Sequence, residues 1–398
     1  MSPRPVVALL VAHWDSDSEE GWFIRQVAGA LACAADVHVI TPDAGTSDIT
    51  VDGVFCVHCL GTPVEEFAEL RRDLLVEGIS TTVSRPEELL DDAVSRLLDQ
   101  DLVAPWDGAT EVIASLHPSL VVVAGHQNIG AMTVVDRLDD DVAVTTIALG
   151  SDLDSLVFPH FLRHYSRSRS ILAVTQVEHD ALVGVLPEPG VAYVVGTPLA
   201  ANPSAWTEPD QLAGSSDYVL VLTHTDSGSG AREAELAQLL RTAAPERRVA
   251  VAHNDAFMVW HRGRVVKGQP IRRSSDMARV MAWARATVDL RPGRLFARPC
   301  LESLLYGTPI VVPHDSRARE HADVGRGGLW FENPAELAWC VEAMFDPAIR
   351  ASLSTRGRAY AAREFGSTDR FIERVLVACG VASERTGDSD SDAASLAG

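Results

Sequence analysis

Short, β-branched apolar runs alternate with longer amphipathic stretches along most of this chain. In the first half the runs Pro5–Ala12 (PVVALLVA), Asp36–Ile40 (DVHVI), Leu120–Ala124 (LVVVA), Val142–Leu149 and Ile171–Val174 predict strands. The second half adds Tyr218–Leu222 (YVLVL), Arg248–Ala252 (RVAVA), Thr287–Leu290 (TVDL) and Pro309–Val312 (PIVV). Between them, stretches such as Trp22–Cys33 and Ala231–Ala243 carry a helical pattern. Strand–helix alternation of this kind predicts an α/β protein whose parallel sheets are covered on both faces.

The rhythm breaks at Gly196–Ser216 (GTPLAANPSAWTEPDQLAGSS), which holds three prolines among small and polar residues and reads as an interdomain linker. The chain has 398 residues. Domains of roughly 150–200 residues make two the natural number. The expectation is therefore two Rossmann-like, doubly wound halves, at 1–200 and 215–370. Ligands of such sheets sit beyond the carboxyl ends of the strands, so a cleft between two facing sheets is the expected site. Glu77–Asp107 is acidic and amphipathic and predicts a pair of inserted helices. The polar, acidic segment 383–398 predicts a disordered tail.

Composition narrows the partners. Hydrophobic residues at 46% and charged residues at 22% fit an ordinary globular protein. No apolar run approaches the ~18–20 residues needed to span a bilayer, so no transmembrane segment is expected. The N-terminal apolar stretch meets His13 and then acids without a small-residue cleavage site. It reads as a first strand and not as a signal peptide, and a cytoplasmic location is expected. With 34 basic against 55 acidic residues the formal net charge is −21, which disfavours nucleic acid and electrostatic docking on anionic lipid. A phosphorylated ligand would need a local basic or helix-terminal pocket. Six cysteines without an export signal are expected to be reduced thiols. Cys56-Val-His-Cys59 has the spacing of half a zinc site, but no second Cys/His pair follows at ribbon or finger spacing. No metal site is expected there.

The segment from Arg291 reads RPGRLFARPCLESLLYGTPIVVPHDSRAREHADVGRGGLWFENPAELAWCVEAMF. Thr287–Leu290 is a strand, Arg291-Pro-Gly a turn, and Pro299 suits the first turn of a helix that Gly307 closes. The start of that helix points its amides and positive dipole end at the carboxyl edge of the strand, where a diphosphate would bind.

This segment resembles the donor-binding core of the retaining GT-B glycosyltransferases (group 1, or family 4-like), whose usual form is P-S-x-x-E-G-F-G-L-P-x-L-E-A-x-A-x-G-T-P-V-V. Pro292, Phe296, Pro299, Leu301, Glu302, Gly307, Thr308 and Pro309 fall in register without a gap. Glu320, Gly328-Leu329, Asn333-Pro334, Asp346-Pro347 and Arg356-Gly357-Arg358 continue the likeness. It is strong over about Asp276 to Phe365 and weaker before it.

The resemblance implies a GT-B fold and a nucleotide diphosphate sugar as donor, with Glu302 holding the ribose hydroxyls. It places Ala297, Leu301, Thr308 and Glu320 around the donor pocket. The family's first glutamate, facing the transferred sugar, is here Arg294, and the glycine-rich loop after it has become Leu295-Phe-Ala-Arg298. Arg294 and Arg298 flank the expected diphosphate position, and arginine forks pair well with phosphate. The family's Arg/Lys pair after the first strand of the second domain is missing, and His224 and Arg232 are the nearest substitutes. In the first domain the resemblance points to Gly21, which follows the loop Asp17–Glu20, and to His126 in the cleft. Gly150-Ser-Asp152 sits where acceptor contacts often occur.

No G-x-G-x-x-G opening a helix after a strand, Walker lysine or G-x-S-x-G elbow is present. Asp152-Leu-Asp154 is a possible metal pair, but GT-B transfer typically needs no metal, so neither metal nor resident cofactor is expected. The resemblance implies transfer, with retention, to an acceptor that is a glycan, a lipid or a small molecule. Two rival readings stand beside it. One is a GT-B-fold binding or regulatory protein that has lost turnover, motivated by Arg294 and the missing Arg/Lys pair. The other is a sugar-nucleotide epimerase or hydrolase, which would convert donor without an acceptor.

Overall fold

The computed structural model describes residues 3–12, 14, 19–42, 49–51, 55–60, 106, 108–125, 129–149, 164–186, 192–199, 218–222, 240, 247–253, 256–261, 264–270, 274–290 and 297–381. The chain divides into two compact units, Met1–Gly196 together with Asp369–Gly398, and Thr197–Thr368.

In the first unit the elements run β1 (Val6–Leu10), α1 (Glu19–Ala32), β2 (Asp36–Thr41), β3 (Ile49–Val51), β4 (Phe55–Cys59), α2 (Ala109–Leu116), β5 (Leu120–Ala124), α3 (Ile129–Asp136), β6 (Ala143–Ile147), β7 (Ser170–Ala173), α4 (Gln176–Val185) and β8 (Ala192–Val194). They form an eight-stranded sheet in the order β3-β4-β2-β1-β5-β6-β7-β8. All neighbours pair in parallel except β3, which runs antiparallel to β4 at one edge. Alternation along the strands puts Ala8, Leu10, Ile40, Val121 and Val123 in one core with Ala109 and Ile113 of α2 and Val134 and Val135 of α3. β1 and β5 are apolar at nearly every position because helices cover both sheet faces.

The second unit holds β9 (Tyr218–Leu222), β10 (Arg248–His253), β11 (Ala256–His261), β12 (Arg264–Pro270), α5 (Ser274–Trp283), β13 (Thr287–Asp289), α6 (Arg298–Leu305), β14 (Ile310–Pro313), α7 (Arg319–Asp323), β15 (Gly328–Phe331), α8 (Pro334–Ala343) and α9 (Pro347–Phe365). Its seven-stranded sheet has the order β12-β11-β10-β9-β13-β14-β15. The strands from β10 to β15 in that order are parallel, and β11 and β12 extend the sheet as an antiparallel hairpin. Val219, Val221, Val288 and Val311 share a core with Leu337 and Val341 of α8. Leu220, Leu222 and Ala250 share another with Val280 and Met281 of α5.

The chain returns to the first unit through α10 (Thr368–Cys379). There Phe371 meets Phe23 of α1 edge-on, with ring centroids 6.1 Å apart. In both units the early strands wind to one side of the first strand and the later ones to the other. The topological switch points fall between β1 and β5 and between β9 and β13, where sheets of this kind bind ligands at the carboxyl edge.

Two Asx-Pro pairs in the sequence acquire a physical reading. Asn333 caps α8 by accepting from the amides of Ala335 and Glu336, and Asp346 caps α9 through those of Ala348 and Ile349. In each case proline takes the next position, where its missing N–H costs nothing.

The structure adds strands that the apolar runs did not predict. β3, β4, β8 and β15 are short, and β11 and β12 form an antiparallel hairpin. α1 starts at Glu19, earlier than the predicted Trp22. Most of the predicted linker, the helix pair predicted over Glu77–Asp107 apart from Trp106, most of the helix predicted over Ala231–Ala243 and the segment 383–398 lie outside the described residues.

Candidate functional site

The second unit's switch point is bordered by β13 and by α6, which follows it. β13 ends on Asp289, a buried carboxylate that accepts from the Cys300 thiol at 3.4 Å. Ala297 then caps α6 in a left-handed conformation (φ 42°, ψ 42°), a region that costs a side-chain-bearing residue about 1–2 kcal/mol and a glycine almost nothing. The GT-B pattern has a glycine-rich loop in this region. Here an alanine carries the turn while buried against the core.

Arg298 and Pro299 open the helix. The amides of Cys300 and Leu301 both return to the Ala297 carbonyl, at 2.7 and 3.1 Å, and Pro299 has none. The first turn therefore has at most the Ala297 and Arg298 amides left to face a ligand, fewer than the sequence suggested. The positive end of the helix dipole remains at this point.

One turn on, Glu302 receives a hydrogen bond from Arg298 Nε at 2.7 Å. Both side chains are mostly covered, with 29% and 21% of their surface exposed. Tyr306 lies a further turn along the helix. Burial pushes its phenol up to about 12, the Glu302 charge adds to the shift and Arg298 opposes it, so the ring stays protonated. A guanidinium, a carboxylate and a neutral phenol thus follow one another from the start of α6 to its C-cap. A carboxylate is able to accept hydrogen bonds from sugar hydroxyls, and a guanidinium to pair with phosphate.

The rest of α6 holds this ridge in place. Leu301 is wholly buried among Leu304, Ile310, Val312 and Tyr360. Ser303 bridges the hydroxyl of Thr287 (2.7 Å) and the carbonyl of Thr308 (3.0 Å). Gly307 adopts φ 80°, and the amides of Gly307 and Thr308 return to Leu304 and Ser303, closing the helix with a Schellman turn. Thr308 is fully buried, and its hydroxyl donates to the Met281 carbonyl at 2.8 Å. Leu301 and Thr308, placed around the donor by the resemblance, thus serve the scaffold of the site through their side chains.

Glu320 sits in the first turn of α7, half-buried, where its charge raises the Tyr360 phenol, already pushed up by burial. Tyr360 also meets His321 Nδ1 at 3.1 Å. His314, which follows β14 directly, went unremarked in the sequence. It lies at the carboxyl edge, 3.7 Å from Glu332 and edge-on to Trp330. Its signal was a single polar residue ending a run of apolar ones (IVVPH).

Gly21 belongs to the first unit and lies buried within the first turn of α1, not ahead of the helix. Arg294, His126, His224 and Arg232 lie outside the described residues.

No family model matches the sequence, and no curated protein is similar to it in sequence. Solved structures do match its shape over nearly the whole chain. Sucrose-phosphate synthase from Thermosynechococcus elongatus superposes with a TM-score of 0.62 at 13% identity, covering 94% of this chain and 98% of that one. HepE from Anabaena, solved with UDP and glucose, gives 0.57 at 12% identity, covering 95% and 100%. A Listeria monocytogenes protein ascribed to the UDP-N-acetylglucosamine 2-epimerases gives 0.53 at 13%, covering 94% and 95%. The fold is GT-B. At these identities the likeness establishes architecture, and the site residues have to carry the chemistry. No helix among the described residues is long and apolar enough to cross a membrane.

Proposed function

We propose that this chain is a cytoplasmic glycosyltransferase that moves a sugar from a nucleotide diphosphate sugar to an acceptor hydroxyl with retention at the anomeric carbon. The observation that carries the reading is the Arg298–Glu302 pair at the head of α6, beside the switch point of a GT-B donor-type sheet. Glu302 accepts two ribose hydroxyls of the donor nucleotide, and Arg298, displaced from its partner, turns to the diphosphate. Charge building on the leaving diphosphate is then met by a guanidinium and a helix dipole already in place. Arg294 adds a second guanidinium where the family has its first glutamate, and Ala297 gives the close backbone approach. His224 and Arg232 take the part of the missing Arg/Lys pair, and Glu320 supports the far side of the pocket. His126 and Gly21 serve the acceptor side, where a glycan, lipid or small-molecule hydroxyl attacks. Transfer in this reading uses no resident cofactor and no nucleic-acid partner.

Isothermal titration of the purified protein with UDP, GDP and ADP tests the reading. Micromolar binding of one nucleotide that Glu302→Ala abolishes supports it, and absence of binding by all three sinks it. The likeness to a protein ascribed to the 2-epimerases favours one rival. Product analysis of a nucleotide sugar incubated without acceptor separates them, because an epimerase or hydrolase converts its substrate under those conditions.

A further inference from the structure

At one edge of the first unit's sheet, β2 and β4 run parallel with His38 opposite Cys56 and Ile40 opposite His58. Side chains alternate along a strand, so His38, Cys56 and His58 all emerge on one face. Cys59 is an odd step from Cys56 and emerges on the other. The sequence pairing Cys56-x-x-Cys59 therefore cannot close on one ion while β4 stays a strand. The residue that completes the set comes from the neighbouring strand, eighteen positions before Cys56 in the chain.

The ring nitrogens His38 Nδ1 and His58 Nε2 are 3.0 Å apart, and the two rings stack at 5.3 Å with an interplanar angle of 20°. One ligand atom from each of the three residues falls within 4.8 Å of the others, and all three residues are half-buried. Nitrogens bound tetrahedrally to zinc at ≈ 2.0–2.1 Å stand about 3.3 Å apart, so small ring rotations admit an ion between them. Two imidazoles and a thiolate are a ligand set suited to zinc. A parallel ladder to β2 and an antiparallel ladder to β3 hold β4 on either side, so the strand that carries Cys56 and His58 is fixed.

We propose that His38, Cys56 and His58 form a zinc site that ties β2 to β4, with solvent in the fourth position. On binding, the Cys56 S–H bond breaks, sulfur bonds the metal and the proton leaves to solvent. Both imidazoles remain neutral, each keeping its proton on the nitrogen turned away from the ion. The ion is separate from the transfer chemistry above and tests independently of it.

Cobalt(II) is the probe. The full-length, untagged protein is stripped with chelator, desalted and titrated with cobalt while its absorption spectrum is followed. The proposal requires one cobalt per chain, intense visible bands of a tetrahedral ion and a near-ultraviolet thiolate-to-cobalt band, all bleached by one equivalent of zinc. Cys56→Ser must remove the thiolate band, His38→Gln and His58→Gln must weaken binding at least tenfold, and Cys59→Ser must leave the spectrum unchanged. A weak octahedral spectrum without the thiolate band overturns the proposal, as does a band that disappears with Cys59. Should a variant fail to fold, alkylation of the wild-type protein decides. Zinc must protect Cys56 from iodoacetamide while Cys33, exposed just past the end of α1, reacts at an unchanged rate. Equal labelling of Cys56 with and without zinc refutes the site.

Discussion

Arg298 donates to Glu302 across one turn of α6, at 2.7 Å, with the cation on the amino-terminal side. That order is the less favourable one for helix stability, because a positive charge near the helix start opposes the dipole. The pair is thus poorly explained as a stabilising device and well explained as a carboxylate and a guanidinium stored together. Under the proposed function, a donor that engages both would separate them.

Removing the guanidinium separates these roles. Arg298→Ala is expected to change unfolding free energy by less than about 1 kcal/mol, the scale of a partly exposed helical ion pair. The same variant should lose at least tenfold in affinity for the nucleoside diphosphate. Urea unfolding and calorimetry on one preparation check both, and a stable variant with unaltered affinity removes Arg298 from the site.

Gly357 stands where α9 crosses the start of β15. A β-carbon built on it lies 2.7 Å from Leu304 Cδ2 and 2.8 Å from Gly327 Cα, and one on Gly327 lies 2.5 Å from Gly357 Cα. Gly→Ala in a helix interior ordinarily stabilises by about 1 kcal/mol. Here the contact with backbone reverses the sign, and Gly357→Ala should destabilise by about 1–3 kcal/mol. Denaturant midpoints decide it, and a rise in the midpoint contradicts the close approach.

Asp346 satisfies two amides at the head of α9, at 2.8 and 3.1 Å. Asp346→Ala should cost about 1 kcal/mol, and Asp346→Asn much less, since an Asn side-chain oxygen accepts the same bonds. Thermal melting of the pair of variants reads the difference directly.

Alkali should weaken the fold in a definite window. Burial pushes the Cys340 thiol from about 9 up to about 11 and that of Cys379 up to about 12. Below pH 9 both thiols are protonated folded or unfolded, and their contribution is fully present. Above it the unfolded chain releases protons that the folded chain keeps, so stability falls as pH rises from about 9 through about 11 for Cys340 and about 12 for Cys379. Unfolding free energies measured at intervals across this range should decline, and Cys340→Ala should make the decline shallower.

The framework of the fold was legible because its signals are local. The central strands Leu120–Ala124 and Tyr218–Leu222 carry unbroken apolar runs, and the structure gives them the same bounds. Gly307 marked the end of α6 because a left-handed residue is needed there. The edge strands were harder. β4 is half-buried except at its central Val57, and its partner β3 is three residues long, so neither rises above its surroundings. In the candidate site, Glu302 was singled out by the resemblance of the segment around Pro299 and Gly307 to the GT-B donor motif. That Arg298 would be bound to Glu302, or Thr308 turned inward to Met281, depends on side-chain directions that spacing does not encode. The grouping of His38 with Cys56 was equally hidden, because it arises from strand register and not from proximity in the chain.

The return of α10 to the first unit sets an order on biosynthesis. Thr197–Thr368 is continuous in the gene and can be completed as soon as it leaves the ribosome. The first unit cannot, because Phe371 and the rest of the helix that lies on Phe23 are translated after the whole of the second unit. At about 5–20 residues per second, the surface of α1 waits on the order of 20–70 s for its cover. A nascent chain stalled within the second unit therefore presents an unfinished first one, and a gene fragment ending at Gly196 encodes that same incomplete state permanently.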